Sequence, residues 1–353
     1  MASFLCISEK CIFMIVIDGG YHEGGGQIVR TAVGLSALTG KEFRIDNIRA
    51  KRPNPGLSFQ HVCAVNAVAH MCSARTKGVF VGSKSMEFLP GKYGGVRDIK
   101  VKIPTAGAIG LVLQPLIIAA FGVKGKMNIE IEGGASFGKR APPVTYIQNV
   151  FCRAISAFGC DVKVDVLRHG FYPKGGGRTR IGIDVRERKM ADLVSFRDGG
   201  CVNGLSVASR DLERRDVARR QAESAKKILH EAGVFERVSI DTRYADSVSA
   251  GSGIVLWIGD NMFLGASSVG EVGKRAEDVG GEAAFELIEE HKAEACVDKY
   301  LCDQLIPILG ICGGKIKTSE ITKHTETNIW VVEKFMGVVF CVNREDKIVS
   351  IRT

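Results

Sequence analysis

Hydrophobic positions along this chain follow two different spacings. Short segments rich in β-branched residues predict strands at MIVID (14–18), NIEIE (128–132), KVDVL (163–167), IVLWIG (254–259) and VVFCV (338–342). Longer segments with apolar residues three or four positions apart predict helices at QIVRTAVGLSALTG (27–40), LSFQHVCAVNAVAHMC (57–72) and TYIQNVFCRAISAFG (145–159). Gly40 and Gly159 stand where such helices end. The mixture predicts an α+β fold made of sheet and helix layers.

The amino-acid composition changes twice along the 353 residues of the chain. Residues 14–183 and 279–353 are rich in glycine and apolar residues, and we predict that together they form one large domain. Residues 184–278 are more charged, and we predict that they form a small α/β insert domain. Within the insert, RDLERRDVARRQAESAKKILHEAGV (210–234) has the spacing of an amphipathic helix, and Gly233 is its expected stop.

Composition narrows the partners and the compartment. A net charge of +9 and a pI of 9.0 favour a polyanionic partner such as a nucleotide or a nucleic acid. The eleven cysteines are scattered without a C-x-x-C pair, which argues for reduced thiols in a cytoplasmic protein, or a nuclear one in a eukaryote. Residues 1–13 lack the marks of a signal peptide, and we interpret them as an extension ahead of Met14 that need not be native.

One apolar run raises the question of a membrane. Residues 103–123, IPTAGAIGLVLQPLIIAAFGV, carry no charge and are long enough to span a bilayer. Gln114 and Pro115 interrupt the run at its centre, and no second span accompanies it. We therefore predict a buried core helix and no membrane partner.

A glycine-rich turn follows the first predicted strand. The segment DGGYHEGGGQIVR (18–30) leads from strand to helix, and free backbone amides at such a turn favour anions. Glu23 is a candidate metal ligand, and Arg30 is a candidate cation for phosphate. The alternative is a turn shaped only by packing.

A basic loop precedes the second predicted helix. In IRAKRPNPGLSFQH (48–61), Arg49, Lys51 and Arg52 lie beside a Pro-Asn-Pro-Gly turn, an arrangement suited to phosphate. The alternative is a solvated surface cluster. On the helix that follows, His70 is expected to be a core histidine.

Another glycine turn remains undecided at this stage. LRHGFYPKGGGR (167–178) combines His169 and an aromatic pair with Lys174 and Arg178. Contact with a nucleic-acid backbone and a purely structural tight turn fit these residues equally well.

The segment ITKHTETNIWVVEKF (321–335) carries the sharpest candidate. We predict a strand at KTSEIT (317–322) and a helix capped by Thr325, which puts His324 just ahead of a helix N-terminus. That position favours a neutral, nucleophilic imidazole and attracts phosphate oxygens. A histidine there suits phosphoryl or nucleotidyl transfer, although a capping role explains the pattern as well.

Taken together, these segments resemble the RNA 3′-terminal phosphate cyclase family. The resemblance covers the chain from Met14 to its C-terminus. It is carried by EGGGQIVR, IRAKRPNPGL, LVLQ, APP, LRHGFYPKGGG, YLCDQL and HTETNIWVVEKF, in this order.

The resemblance implies a fold and a reaction. The implied fold is a large domain of three repeated units, each a four-stranded sheet with two helices, and a small α/β insert. The implied enzyme is a ligase that forms phosphoric ester bonds with ATP and a divalent metal, Mg²⁺ or Mn²⁺. A histidine takes AMP from ATP and passes it to an RNA 3′-phosphate, whose neighbouring 2′-hydroxyl closes a 2′,3′-cyclic phosphodiester.

The resemblance also implies roles for individual residues. His324 matches the nucleotidylated histidine, and Glu23 matches a metal ligand. The positions expected to line the phosphate and RNA-end site are Arg30, Arg49, Arg52 and Gln60. The positions expected around ATP are Gln114, Pro142, Pro143, Tyr300, Asp303 and Gln304, with adenine between Tyr300 and one of the two prolines.

We therefore predict an RNA 3′-phosphate cyclase, acting as a monomer or a homodimer. One alternative is a cyclase-like factor of ribosome biogenesis and rRNA processing, which shares the fold without the chemistry. That branch lacks the histidine present here as His324. A second alternative is a small-molecule transferase on a similar fold, against which the adenine-site residues and the basic charge count.

Overall fold

The structure is a computed structural model that describes residues 14–93, 95–259 and 262–352. These residues form four four-stranded sheets, and three of the sheets share one topology. In each of the three, the first two strands are parallel, and a final antiparallel hairpin extends the sheet in the order first, second, fourth, third. The predicted α+β fold of repeated units is confirmed, while the extension 1–13 lies outside the described residues.

The first unit begins at the predicted first strand. It comprises β1 (Ile15–Asp18), α1 (Gln27–Thr39), β2 (Phe43–Asp46), α2 (Phe59–Met71), β3 (Arg75–Lys77) and β4 (Met86–Leu89). Helix α1 ends at Gly40, whose φ of 71° is left-handed, as expected of a glycine stop. His70 is exposed on α2, so its prediction as a core histidine is wrong. The apolar spacing of α2 placed His70 at the edge of the buried face, but that face is narrower and does not reach His70.

The second unit contains the long uncharged run. It comprises β5 (Asp98–Ala108), α3 (Ile109–Ala120), β6 (Gly125–Ala135), α4 (Val144–Tyr146), a π-helical turn (Ile147–Phe151), α5 (Cys152–Ser156), β7 (Cys160–Arg168) and β8 (Arg178–Val185). The predicted core helix is correct for α3, but residues 103–108 belong to β5. Residues 103–108 carry no charge although only Ile103 and Ala108 among them are buried, so hydropathy alone does not mark the boundary between β5 and α3. No helix in the described ranges is long and apolar enough to cross a membrane.

A fourth sheet interrupts the third unit. After β9 (Ala191–Leu193), the chain forms β10 (Cys201–Ser209), a 3₁₀ turn (Arg210–Arg215), α6 (Val217–Ala232), β11 (Arg237–Ala245), β12 (Ser252–Ile258), β13 (Gly265–Val269) and α7 (Ala276–Lys292). Its sheet order is β11-β10-β12-β13, which differs from that of the repeated units. Helix α6 ends at the predicted Gly233. The predicted domain boundary at 278 falls within α7, and the division into domains stays a prediction.

The third unit then resumes and contains the segment around His324. It continues with α8 (Lys299–Cys312), β14 (Gly314–Lys317), α9 (Lys323–Met336), β15 (Phe340–Asn343) and β16 (Ile348–Ile351). Strand β14 ends at Lys317, so the strand predicted at 317–322 is wrong. Residues 318–322 instead form a connection into α9, where the hydroxyl of Thr318 donates a hydrogen bond to the Glu320 oxygen and the hydroxyl of Thr322 accepts one from the Thr325 backbone N–H.

Burial explains how the units pack. Along β5, Ile99, Val101 and Ile103 are buried while the intervening residues are exposed, so one face of this sheet meets solvent. The buried faces and the helices between them form one hydrophobic cluster that runs through all three units. Within it α1 packs against α3 and α9, and α9 packs against α8. A second cluster joins the fourth sheet to α6 and α7.

Candidate active site

His324 lies in the first turn of α9. The helix is capped by Thr322, whose side-chain oxygen accepts a hydrogen bond of 3.0 Å from the Thr325 backbone N–H. The predicted cap at Thr325 is therefore wrong by three residues. Thr322 is the cap because the Thr325 backbone N–H, which has no partner within the helix, lies within reach of its hydroxyl. His324 is consequently part of the helix, close to its positive end.

Asp303 on α8 holds the start of α9 in place. Its Oδ1 accepts hydrogen bonds from the hydroxyls of Thr322 (2.7 Å) and Thr325 (2.6 Å), and its backbone oxygen accepts one from Asn328 (2.7 Å). Burial raises the pKa of Asp303 to about 7, against the opposing effect of the two hydroxyls. Asp303 therefore fixes the turn that carries His324, a contact that its prediction as an ATP-binding residue did not include.

Helix α1 brings the glycine-rich turn to the same place. Gln27 donates a hydrogen bond of 3.3 Å to the His324 backbone oxygen, and the Thr31 hydroxyl donates one of 2.9 Å to Asn328. These contacts set the turn that precedes α1 beside the first turn of α9. Glu23 Oε2 then lies 3.1 Å from His324 Nε2.

The environment of the His324 ring distinguishes its two nitrogens. Nδ1 is buried and has no hydrogen-bond partner in the described part of the chain, whereas Nε2 faces Glu23. The side chain as a whole is 40% exposed, so Nε2 is the nitrogen available to a substrate. Burial lowers the pKa of His324; Glu23 opposes this, while Arg52 and Arg30 add to it. A neutral imidazole is the form that can act as a nucleophile.

Three arginines surround the turn. Arg52 lies 3.8 Å from Glu23, Arg30 donates a hydrogen bond of 2.9 Å to Gln114 Oε1, and Arg49 donates one of 2.8 Å to the Gly56 oxygen. Burial and the neighbouring Arg49 lower the pKa of Arg30 to about 10, so it remains charged at neutral pH.

The three arginines outnumber the carboxylates that form ion pairs with them. Arg52 has one, Glu23, and no ion pair joins Arg30 or Arg49 to a carboxylate in the described residues. Grouped cations with so few acidic partners form a site that favours an anion.

His61 lies buried beside Arg30 and Arg49, and the sequence did not identify it as a functional candidate. It is buried, and its Nδ1 accepts a hydrogen bond of 3.1 Å from the Ser58 backbone at the start of α2. Burial, with Arg30 and Arg49, lowers its pKa to about 3, so it is neutral. An added Cβ on Gly26 would lie 2.1 Å from His61 Nε2, which explains why the turn needs glycine there. The only sequence signal was a histidine three residues after a serine cap.

Gln60 occupies a related position one residue earlier. Its Oε1 accepts a hydrogen bond of 2.9 Å from the Ala108 backbone N–H at the start of α3. The residue thus joins α2 to the end of β5, and its predicted contact with RNA stays a prediction.

The residues predicted for adenine lie in the first turn of α8 and just ahead of α4. Tyr300, in the first turn of α8, is 46% exposed, and its hydroxyl donates a hydrogen bond of 2.9 Å to Glu286. Gln304 donates one of 3.0 Å to the Tyr300 backbone oxygen. Pro143 directly precedes α4 as its N-cap residue, with Pro142 before it. The exposed Tyr300 ring fits a stacked purine, whereas Pro143 is buried and Pro142 is half-buried.

Asp298 joins these two helices and was not found from the sequence. It is completely buried at the N-cap of α8 and accepts hydrogen bonds from the backbone of Tyr300 (2.9 Å) and Leu301 (2.8 Å). The hydroxyl of Tyr146, on α4, donates to it at 2.8 Å, and the backbone of Gly265 donates at 2.9 Å. A helix-capping aspartate two residues before Tyr300 was the available signal.

A divalent metal fits this site only when a nucleotide supplies most of its ligands. The described residues contain no group of three or more His, Cys, Asp or Glu side chains that could hold a metal ion by themselves. Glu23 is a single carboxylate beside the arginines. Mg²⁺ characteristically binds through one or two carboxylates together with phosphate oxygens and water, so Glu23 fits a metal that arrives with a nucleotide.

Known proteins of one family match this chain over almost its whole length. The family model for RNA 3′-terminal phosphate cyclase matches residues 21–342. A protein named RNA 3′-terminal phosphate cyclase from Pyrococcus furiosus is 45% identical over 93% of this chain and 94% of its own. Proteins of that name from Methanococcoides burtonii (42% identical, 96% of this chain and 99% of its own) and Archaeoglobus fulgidus (41%, 92% and 97%) are similarly close. This chain belongs to the RNA 3′-terminal phosphate cyclase family.

Proposed function

We propose that this protein is an ATP-dependent RNA 3′-terminal phosphate cyclase that works through a covalent His324–AMP intermediate. The observation that carries the proposal is the position of His324 Nε2, in the first turn of α9 and 3.1 Å from Glu23. Charged arginines stand around the same turn. A neutral imidazole, a helix N-terminus and grouped cations are what an attack on a nucleotide phosphate requires.

In the first step, His324 reacts as the neutral tautomer with its proton on Nδ1: the Nε2 lone pair attacks the α-phosphorus of ATP, a P–N bond forms, and pyrophosphate leaves. Arg30 and Arg52 would stabilise the negative charge on the phosphate oxygens. Glu23 would hold a divalent cation that neutralises the triphosphate. Asp303 keeps the turn of α9 fixed through two threonine hydroxyls, so the nucleophile does not have to be ordered during the reaction.

In the second step, an oxygen of the RNA 3′-phosphate attacks the phosphorus of the histidine-bound AMP and displaces the Nε2 atom. In the third step, the adjacent 2′-hydroxyl attacks the RNA phosphorus, AMP leaves, and the cyclic phosphodiester is complete. Adenylation turns a poor leaving group into a good one, and the attacking hydroxyl is already adjacent. Only RNA has that hydroxyl.

The adenine would lie between Tyr300, in the first turn of α8, and one of the two prolines that precede α4. Tyr300 presents an exposed ring for stacking, and Gln304 is bonded to the same turn of α8. Gln114 accepts a hydrogen bond from Arg30, so the residue proposed for ATP contacts one proposed for phosphate. The adenine assignments go beyond the phosphate contacts, for which the grouped arginines are the support.

Labelling tests the covalent step. The protein is incubated with a divalent metal and ATP labelled at the α-phosphate, and label on the denatured polypeptide is measured. We expect acid-labile label on the wild type and none on His324→Asn. The matched control is His70→Asn, since His70 is an exposed histidine on α2, and it should label like the wild type. ATP labelled at the γ-phosphate should leave no label, and absence of α-label on the wild type would refute the mechanism.

A second assay tests the substrate. RNA that ends in a 3′-phosphate should yield a cyclic end, whereas RNA with a 3′-hydroxyl should not. An RNA whose terminal nucleotide has a 2′-deoxyribose and a 3′-phosphate should be adenylated and then accumulate in that form. Cyclisation of the unphosphorylated RNA would contradict the proposal.

A further inference from the structure

The turn between β7 and β8 exposes an aromatic side chain that the catalytic proposal does not use. It belongs to the segment LRHGFYPKGGGR, residues 167–178. Tyr172 is 76% exposed, whereas the preceding Phe171 is 2% exposed and stacks on Phe137 with their ring centroids 5.8 Å apart. Packing therefore explains Phe171, but it does not explain Tyr172.

The backbone holds this tyrosine on a rigid support. Gly175 donates a hydrogen bond of 2.8 Å to the Phe171 oxygen, and Gly177 donates one of 2.9 Å to Gly134. The Lys174 backbone N–H donates to the Ser249 hydroxyl at 3.1 Å. A support tied at three points loses little conformational entropy when its exposed ring binds a ligand.

The turn is continuous with the predicted RNA-end site. An added Cβ on Gly175 would lie 2.8 Å from the Thr105 oxygen, so the turn rests on the end of β5. Two residues further along β5, the corresponding position on Gly107 lies 3.1 Å from Gln60 Cβ. Thr105 and Gly107 are two residues apart on β5, roughly 7 Å in an extended chain, so the glycine turn and Gln60 contact neighbouring positions of one strand.

The charge around the ring is positive. Lys174 and Arg168 are both exposed, and no ion pair joins either of them to a carboxylate in the described ranges. Arg168 donates a hydrogen bond of 2.6 Å from Nε to the Gly176 oxygen, which holds its guanidinium next to the turn. Exposed aromatic rings beside cations are the means by which proteins bind single-stranded nucleic acid without reading its sequence.

We propose that Tyr172 stacks on a base of the RNA upstream of its 3′-terminal nucleotide, while Lys174 and Arg168 contact the adjoining phosphates. This inference rests on the proposed function, because it takes the Gln60 side of the site as the place where the RNA end lies. It assigns to the turn the binding of single-stranded RNA, with base stacking and without sequence preference. The cyclase thereby gains affinity for an RNA chain over a short terminal fragment.

The test compares Tyr172→Ala with Tyr172→Phe, which keeps the ring. Phe285→Ala is the matched control, since Phe285 is also an exposed aromatic residue (59%) but lies on α7. Binding is measured by fluorescence anisotropy, without ATP, for a 3′-phosphorylated RNA of about ten nucleotides. We expect Tyr172→Ala to weaken this binding by about 5- to 100-fold, and the other two variants to bind like the wild type.

Substrate length separates a binding role from a structural one. With a 3′-phosphorylated dinucleotide, Tyr172→Ala should cyclise with the KM and kcat of the wild type, while its KM for the longer RNA should rise. Lys174→Ala should weaken binding of the longer RNA and reduce the dependence of that binding on salt. Equal losses on both substrates would indicate a damaged fold and overturn the proposal.

Two further outcomes remain distinguishable. Unchanged binding of the longer RNA by Tyr172→Ala would overturn the proposal and leave the ring to another occupant, such as a protein partner. Histidine labelling by ATP should be the same in wild type and Tyr172→Ala. Loss of labelling in the wild type would refute the proposed catalytic function, whereas the anisotropy measurement still reports on the turn.

Discussion

Removing the side chain of Asp298 should destabilise the protein more than most single changes. This buried carboxylate accepts hydrogen bonds from the Tyr146 hydroxyl and from the backbone N–H groups of Gly265, Tyr300 and Leu301. Asp298→Ala leaves these donors without their acceptor. Those of Tyr146, Gly265 and Leu301 are buried away from water, so solvent cannot replace the lost bonds.

The size of the effect follows from that count. A buried polar group without a partner costs about 1–3 kcal/mol, and relaxation makes such costs less than additive. For three buried donors we expect Asp298→Ala to lower the free energy of unfolding by about 3–5 kcal/mol. Tyr146→Phe removes one donor and leaves the three backbone bonds, so it should cost about 1–2 kcal/mol.

Thermal unfolding monitored by circular dichroism checks both values. In chains of 150–250 residues, 1 kcal/mol corresponds to about 2–4 °C in Tm, so Asp298→Ala should lower Tm by on the order of 5–10 °C in this longer chain. Asp211→Ala is the matched control, because Asp211 is exposed and has no described hydrogen bond, and it should shift Tm very little. The double variant Asp298→Ala/Tyr146→Phe should be less destabilised than the sum of its parts.

Asp298→Ala should also weaken ATP binding, since Asp298 joins α8, which carries Tyr300, to α4, which Pro143 precedes. We expect the KM for ATP to rise more in Asp298→Ala than in Asp211→Ala at a temperature where both remain folded. A Tm shift no larger than that of Asp211→Ala, with an additive double variant, would show that the carboxylate does not hold these helices together.

Two further predictions concern the glycine turn and the histidine behind it. Gly26→Ala should reduce histidine labelling at least tenfold, because its Cβ would lie 2.1 Å from His61 Nε2. The control is Gly182→Ala, since nothing lies within 4 Å of a Cβ added there. Equal labelling of the two variants would contradict the packing argument. The pKa of His61 is about 3 in the folded protein and 6.5 in the unfolded chain, so the unfolded state binds more protons between these values, and stability should fall as the pH drops below 6.5. Urea midpoints measured across this range should depend less on pH in His61→Gln than in the wild type, whereas His70→Gln, which alters an exposed residue, should keep the slope of the wild type.

Local patterns in the sequence found the elements that carry the site. Apolar spacing located α1 and α9 to within a few residues, and the glycine cluster marked the turn ahead of α1. The same reasoning placed the cap of α9 at Thr325 when the structure has it at Thr322. Thr322 and Thr325 both fit the pattern of an N-cap, and the hydrogen bond from the Thr325 backbone N–H to the Thr322 hydroxyl shows that the helix begins after Thr322.

The sequence by itself therefore determined the kinds of elements, the repeated glycine turns and a histidine near a helix N-terminus, because these depend on neighbours along the chain. Only the tertiary structure decided that Glu23 lies 3.1 Å from His324, that His61 backs the turn at Gly26, and that Asp298 joins two helices. Such contacts connect residues that are far apart in the chain. They depend on how α1 packs against α9 and how α4 meets α8, and periodicity within a single segment carries no information about that packing.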